Sequence, residues 1–332
     1  MPRVSVVMPA FNSAATIAQA IDSILAQSLQ DFECIIVDDG SADATGTIIE
    51  AYRADNRIIV LRQEHAGIVA ALCAGLAVAR SPLIARMDAD DISLPCRLLL
   101  QAEFFAKHVE TGLVASKVWL LSTGLNNRGH QSYVDWTNSL LEHDDIFRNR
   151  FVESPFAHPS VMFRRSLLEQ FGGYRDGAFP EDYDLWLKWL EAGVVMRKLP
   201  EALLHWRDHP QRLSRQGGRY SIEAFYRCKA HYLVRWIKAY VNRPVYLWGA
   251  GRITRKRARY LQENGMTLAG YIDVDKRKID TSSLPVIYYQ DLPARERAFV
   301  LVYVGNRGAR ARIKAYLNMH EYREGIDFYC CA

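Results

Sequence analysis

Three carboxylates fall within four residues at Asp88, Asp90 and Asp91, directly after the apolar run Pro82-Leu83-Ile84-Ala85. Like charges this close repel and raise each other's pKa unless a cation or several hydrogen-bond donors neutralise them. Oxygen ligands favour Mg²⁺ or Mn²⁺, ions commonly held by one or two carboxylates together with the phosphates of a substrate. The cluster therefore suggests metal-assisted phosphate chemistry, although acidic residues here would equally suit a helix start. A second acidic pair, Glu181-Asp182, follows Phe179-Pro180 at the head of a segment that sets Leu185, Trp186 and Trp189 on one helical face. A positioned carboxylate there is sufficient as a general base, while the plainer role of such a pair is to complement the helix dipole.

The elements that must position these groups can be read from periodicity. Val4-Ser5-Val6-Val7-Met8 is β-rich, Pro9-Ala10-Phe11-Asn12 has turn character, and Ala15 to Leu25 keeps helical spacing through Ile17, Ala20, Ile21, Ile24 and Leu25. The unit repeats as a strand over Phe32 to Val37, a turn at Asp38-Asp39-Gly40-Ser41 and a helix around Thr45 to Tyr52. A third strand, Ile58 to Leu61, precedes a helix from Gly67 to Ala79, and the strand at Leu83 delivers the acidic cluster. Alternating strands and helices predict an α/β fold with a mostly parallel sheet. Ligands of such sheets sit outside the carboxyl ends of the strands, where Pro9–Asn12, Asp38–Ser41 and Asp88–Asp91 all fall.

These segments, in this order, resemble the successive signatures of family 2 glycosyltransferases of the A-type fold. Further segments extend the resemblance over about the first two thirds of the chain: Ala157-His158-Pro159-Ser160 with Val161 to Arg165, Gly172-Gly173-Tyr174, Glu181-Asp182-Tyr183-Asp184-Leu185-Trp186-Leu187, and Arg207-Asp208-His209 with Ser214 a few residues on. One such motif is weak and a series of them in order is strong. His65 and Cys73 stand where the family commonly has asparagine.

The resemblance implies transfer of a hexosyl or N-acetylhexosaminyl group from a nucleoside-diphosphate sugar, UDP foremost, to a saccharide or lipid-linked saccharide hydroxyl in bacterial surface polysaccharide assembly. It places Pro9, Phe11, Asn12, Asp39, Gly67, Asp88 and Arg207 at the donor, with Phe11 on the face of a uracil-like base, Asp39 on its edge and Asp88 at the ribose. Phe11 as core packing and Asp39 as a turn residue are the plainer alternatives. Asp90 would hold Mn²⁺ or Mg²⁺, a Lewis acid for the departing diphosphate. His209 would complete that shell or touch the diphosphate, since a neutral imidazole ligates Mn²⁺ and a protonated one pairs with phosphate. Asp182 would be the base, Glu181 its support, and His158 and Trp186 the acceptor side. Displacement by a base-activated hydroxyl inverts the anomeric centre.

Composition is compatible with an intracellular enzyme. The 332 residues, 49% of them apolar, suffice for a large core and two domains. Cysteines 34, 73, 96, 228, 330 and 331 show no metal or redox spacing and read as reduced, buried thiols. No signal peptide is evident, and no apolar run approaches the ~18 residues of a membrane span. A cytoplasmic protein, peripheral to the membrane at most, is expected. The boundaries expected are a catalytic domain over 1–217, a helical connector over 218–242 and a small Rossmann-like domain over 243–332.

Net charge is +5, and its local distribution matters more than its total. Between Ile222 and Tyr240 apolar and aromatic residues keep helical spacing with Arg227, Lys229, Arg235 and Lys238 interspersed. Such a helix can lie on an anionic membrane, or pack its aromatic face between two domains. Nucleic acid is not expected as a partner, because no recognised binding motif accompanies the basic residues. A homo-oligomer is an open expectation.

After Arg243-Pro244 a second α/β pattern begins: a strand at Val245–Trp248, the turn Gly249-Ala250-Gly251, a helix from Thr254 to Asn264, and strands at Ala269–Asp273 and Phe299–Val304 before Gly305-Asn306-Arg307-Gly308. Asp273 suits a ribose contact, but Thr254 occupies the third glycine position of a dinucleotide motif. A structural role or a dinucleotide site both follow from this pattern. The latter would make the chain a cofactor-dependent sugar-modifying enzyme, with a nucleotide-sugar-binding module without turnover as the remaining alternative.

Overall fold

A computed structural model describes residues 1–122, 128–209, 212, 215, 217–278, 284–306 and 308–332. Ser214 and Arg307 lie outside the described residues. The chain divides into two compact units, one formed by Met1–Ile146 and Pro155–Gly217, the other by Phe147–Ser154 and Gly218–Ala332.

The first unit begins with β1 (Val4–Ala10), α1 (Ile17–Leu25), β2 (Phe32–Asp38), α2 (Thr45–Ala51), β3 (Ile58–Arg62), α3 (Ile68–Val78) and β4 (Leu83–Arg86). It continues through β5 (Ile92–Ser93), α4 (Arg97–Lys107), β6 (Thr111–Ser122), α5 (Arg128–Ser139), α6 (His143–Asn149), β7 (Met162–Arg164), α7 (Ser166–Phe171), α8 (Glu181–Glu191) and β8 (Val195–Asp208). One eight-stranded sheet has the order β3-β2-β1-β4-β7-β6-β8-β5. β3, β2, β1 and β4 are parallel, β7 runs against β4 and β6, and β6 is parallel to β8.

Residues of β1 and β2 are buried throughout, as expected for central parallel strands covered on both faces. The turn expected from Pro9 is instead the end of β1, where Pro9 pairs with Val37. Its missing N–H is harmless, because it would face β4 just beyond the last paired position, Val7 with Arg86. α1 buries Ile17, Ala20, Ile21 and Ile24. α3 lies unusually close to the sheet, since a Cβ on Gly75 would come within 2.7 Å of Val7 Cγ1.

The second unit contains α9 (Ile222–Tyr240), β9 (Val245–Trp248), α10 (Arg252–Glu263), β10 (Gly270–Asp273), β11 (Val286–Tyr288), β12 (Phe299–Val302), α11 (Ala309–Met319) and β13 (Phe328–Cys330). Its all-parallel sheet has the order β11-β10-β9-β12-β13, a doubly wound arrangement. β11 and β13 are three-residue strands whose sequences carry too little periodicity to announce themselves.

Two alternatives left open for this unit are narrowed by the structure. α9 buries Tyr226, Tyr232, Leu233 and Ile237, and Tyr226 packs against Tyr303 of the same unit, so most of its stripe is taken up within the unit, with Ile222 and Tyr240 exposed at its ends. Asp273 is buried and accepts from Ala250 N–H (2.7 Å) and Asp275 N–H (2.9 Å), which makes it the brace of the glycine turn rather than an open ribose acceptor. Thr254 fills the place of the third glycine, with Oγ1 3.0 Å from where a Gly249 Cβ would stand. The cysteine expectation holds for four residues only: all six thiols are free, but Cys73 and Cys96 are exposed.

Candidate active site

Each acidic group is placed by a strand end. β4 stops at Arg86, and the chain turns through Met87 and Asp88 to Asp91, with the Ala89 carbonyl accepting from Thr16 Oγ1 (3.0 Å) ahead of α1. The carboxylates of Asp88, Asp90 and Asp91 can each offer an oxygen within 4.8 Å of the others. β8 ends alongside: Arg207 N–H donates to Asp91 Oδ1 (2.7 Å), Arg207 Nε donates to the Asp90 carbonyl (2.7 Å), and His209 Nε2 lies 2.8 Å from Asp90 Oδ2. Arg207 also reaches Gln19 Oε1 (2.6 Å), so in this structure its guanidinium buttresses the acidic loop.

Burial raises the pKa of Asp91 well above its ordinary value, and Asp90 and Asp88 add to the effect. Burial also raises Asp88, opposed by Arg86, whose Nη2 is 2.6 Å from Asp88 Oδ1. Asp91 Oδ2 is buried without a hydrogen-bond partner among the described residues.

A second corner forms where β1, β2 and β3 end. Phe11 is 43% exposed and stacks on His65 at 4.0 Å between ring centroids, which excludes plain core packing. Asn12 adopts φ +47°, a conformation asparagine tolerates, and its Oδ1 accepts from Ala42 N–H (2.9 Å). Asp39 is 3% exposed and already engaged on both oxygens: Oδ1 accepts from Gln63 Nε2 (2.6 Å) and Ala66 N–H (3.0 Å), while Oδ2 accepts from Gly67 N–H (2.9 Å) and lies 2.9 Å from His65 Nδ1. The expected open base-edge acceptor is therefore occupied here in shaping the loop that leads into α3. Gly67 (φ +87°) supplies both that N–H and a backbone geometry other residues resist.

The third corner is the head of α8. Pro180 precedes it without a side-chain cap, Glu181 is buried, and Asp182 is half-buried with Oδ1 accepting from Tyr183 N–H (2.7 Å). Burial, then the Glu181 charge, pushes the Asp182 pKa up to about 7. His158 is buried with Nε2 2.6 Å from the Tyr174 hydroxyl, and burial holds its pKa well below the usual histidine range. Trp186 is fully buried, edge-on to Phe156 and His158. The acceptor contact expected of Trp186 is thus corrected: its ring is the wall behind His158 and has no face open to a ligand.

A family model described as glycosyl transferase family 2 matches residues 5–172. EpsE of Bacillus subtilis is 33% identical over 228 residues, covering 67% of this chain and 79% of EpsE. The chain belongs to glycosyl transferase family 2. Among other relatives of this transferase, the O-antigen biosynthesis glycosyltransferase WbnJ of Escherichia coli is 29% identical over 71% of this chain and 89% of WbnJ. The UDP-Gal:alpha-D-GlcNAc-diphosphoundecaprenol beta-1,3-galactosyltransferase of Escherichia coli is 30% identical over 65% and 78%. In fold the transferase resembles the S. aureus TarS fragment 1–349, with a TM-score of 0.55 at 19% identity over 79% of this chain and 70% of that one.

The acidic corner of the transferase suits a hard divalent cation. Three carboxylates converge, one with an orphaned buried oxygen, and the donor set is oxygen-rich with a single imidazole at its edge. Two arginines that motif reading passed over belong to this site. Arg86 is 3% exposed, and its Nε and Nη1 find no partner among the described residues. Its charge is felt at Asp88 and at Asp182, so one buried guanidinium serves both the acidic triad and the head of α8. Arg212 lies 4.0 Å over the Trp206 ring, and its charge acts on Asp88 and Asp91. An arginine closing an otherwise apolar strand, as in Leu83–Arg86, is the one sequence signal that marked Arg86.

Proposed function

We propose that this transferase moves a sugar from a UDP-sugar to a saccharide hydroxyl, with inversion, the acceptor being lipid-linked. The observation that carries the reading is the convergence, in one unit, of the acidic triad and a half-buried carboxylate on α8 whose pKa is raised to about 7. The family and the named activity of the galactosyltransferase relative support the donor and acceptor classes.

In this reading Phe11 offers its exposed face to the base, and Asn12 and Pro9 shape the loop beneath it. Asp88, Asp90 and Asp91, with His209 at their edge, would hold Mn²⁺ or Mg²⁺, which when bound supplies Lewis-acid stabilisation of the diphosphate. Arg212 adds positive charge on the same side. Asp182 takes the proton of the acceptor hydroxyl as its oxygen attacks the anomeric carbon, and the bond from that carbon to the diphosphate oxygen breaks with its electron pair leaving on the nucleotide. Burial, with the Glu181 charge second, keeps the Asp182 pKa high enough for that transfer near neutral pH. His158, buried and neutral, positions Tyr174 beside this carboxylate pair.

The test is release of UDP from a panel of UDP-sugars with a polyprenyl-diphosphate saccharide acceptor, in Mn²⁺ and in EDTA. Acceptor-dependent, metal-dependent release by the wild type and its loss in Asp182→Asn are expected. Undiminished release by Asp182→Asn would overturn the base assignment.

A further inference from the structure

The two units carry opposite charge. The first has 19 Lys and Arg against 26 Asp and Glu, a net −7, while the second has 23 against 11, a net +12. Much of this excess is concentrated on α10, where Arg252, Arg255, Lys256, Arg257 and Arg259 occupy five of eight positions. The helix sorts them. Thr254, Ala258 and Leu261 face inward, and Arg257 turns in with them, 14% exposed over the Tyr226 ring. Arg252, Lys256 and Arg259 are exposed on the outer face at helical spacing, and Arg255 lies half-buried beside them.

Ile253 lies among these cations and is 63% exposed. Glu223 pairs with Lys256 at 3.3 Å, and Glu263 closes the helix, but among the described residues no carboxylate pairs with Arg252, Arg255 or Arg259. The apolar face of α10 is turned inward, so its outer face offers a membrane charge attraction first, with Ile253 the one aliphatic side chain beside it. Each basic residue near an anionic leaflet contributes attraction within a Debye length. A single-stranded nucleic acid would instead call for aromatic stacking platforms, and the exposed face of α10 carries none.

We propose that the outer face of α10 docks the protein on an anionic phospholipid surface, with Ile253 entering the interface and Arg252, Lys256 and Arg259 meeting lipid phosphates. The proposal gives the second unit a task, and it assigns membrane contact to α10 in place of α9, most of whose apolar stripe is buried. Its purpose rests on the acceptor being lipid-linked, since docking would hold the enzyme where such an acceptor is presented.

The test is flotation of the full chain with phosphatidylcholine vesicles, with and without phosphatidylglycerol, at low salt. Recovery with the anionic vesicles only, falling as salt rises, is expected. A triple variant, Arg252→Gln with Lys256→Gln and Arg259→Gln, should lose roughly 100-fold in partition, about fivefold for each charge. Arg312→Gln with Lys314→Gln is the control, because α10 and α11 follow crossovers that run in opposite directions from the middle of the sheet and so lie on opposite faces. Binding that survives the triple variant, that is equal on neutral vesicles, or that the control removes equally would overturn the proposal. So would capture by a single-stranded RNA oligonucleotide in preference to anionic vesicles. No donor or acceptor enters the assay, so its failure leaves the transfer reaction standing, and failure of the transfer reaction leaves the vesicle result standing.

Discussion

The two sheets open in the same way, with a buried strand, a turn and a helix, followed by a second strand that ends in an acidic residue, β1-α1-β2 in one and β9-α10-β10 in the other. In both, backbone N–H groups take up the carboxylate there, Ser41 at Asp38, Ala66 and Gly67 at Asp39, Ala250 and Asp275 at Asp273, and the difference lies further along the first sheet. In the first unit β2 ends at Asp38, β4 leads into three clustered carboxylates, and one carboxylate oxygen is left buried and without a hydrogen-bond partner among the described residues. In the second unit β10 ends at Asp273, whose oxygens are taken up by Ala250 and Asp275 N–H groups, while Thr254 crowds the turn. The glycine turn of the second unit is thus braced by the unit's own carboxylate. What distinguishes the first unit is the loop after β4, which brings three carboxylates together and leaves Asp91 Oδ2 buried without a hydrogen-bond partner among the described residues.

Substitutions can break this contrast at either end. The largest effect is expected for Asp182→Asn, which should lower turnover about 10²–10⁴-fold while donor binding is kept, as measured by steady-state kinetics and calorimetry. Asp91→Asn comes next. It removes charge from the triad and should weaken metal-dependent donor binding by about 10–100-fold, read by titrating Mn²⁺ against UDP, with turnover recovering at high metal.

The pH dependence sharpens the same site. With Asp182 at about 7, kcat/KM should fall tenfold per pH unit below that value, and Arg86→Gln should move this limb to higher pH by removing a cation that favours the ionised carboxylate. Stability runs the other way. The folded chain binds this proton more tightly than the unfolded chain, so the contribution to stability is present below the ordinary aspartate value of about 4 and is lost as pH rises through 7. Asp182→Asn should accordingly raise Tm at pH 8 by a few degrees, about 2–4 °C per kcal/mol for a domain of this size. The smallest effect on transfer is expected in the second unit. Asp273→Ala should destabilise that unit by about 1–3 kcal/mol through the unsatisfied Ala250 N–H, seen in thermal melts, with kcat unchanged.

The first half of the catalytic unit was legible because its strands and helices are long and periodic. Ile17, Ala20, Ile21 and Ile24 are the residues α1 buries, and the helix headed by Glu181 begins there. β6 and β8 were not foreseen, although they are the longest strands, because register shifts within their pairing break any simple alternation. The acidic triad and the α8 carboxylates were evident from residue type alone. Arg86 and the saturation of Asp39 were not, since both depend on groups distant in sequence: Asp182 for the first, Gln63 and His65 for the second. The burial of Trp186 was foreseen by its helical spacing, and that same spacing argued against the acceptor contact assigned to it.

The central claim is that the strand-end carboxylates of the first unit form a metal-dependent nucleotide site. Calorimetric titration of UDP into the full chain, with Mn²⁺ and with EDTA, tests it most directly. The account predicts saturable binding that needs the metal and is weakened by Asp91→Asn. Equal binding of UDP in EDTA, unaffected by Asp91→Asn, would contradict it.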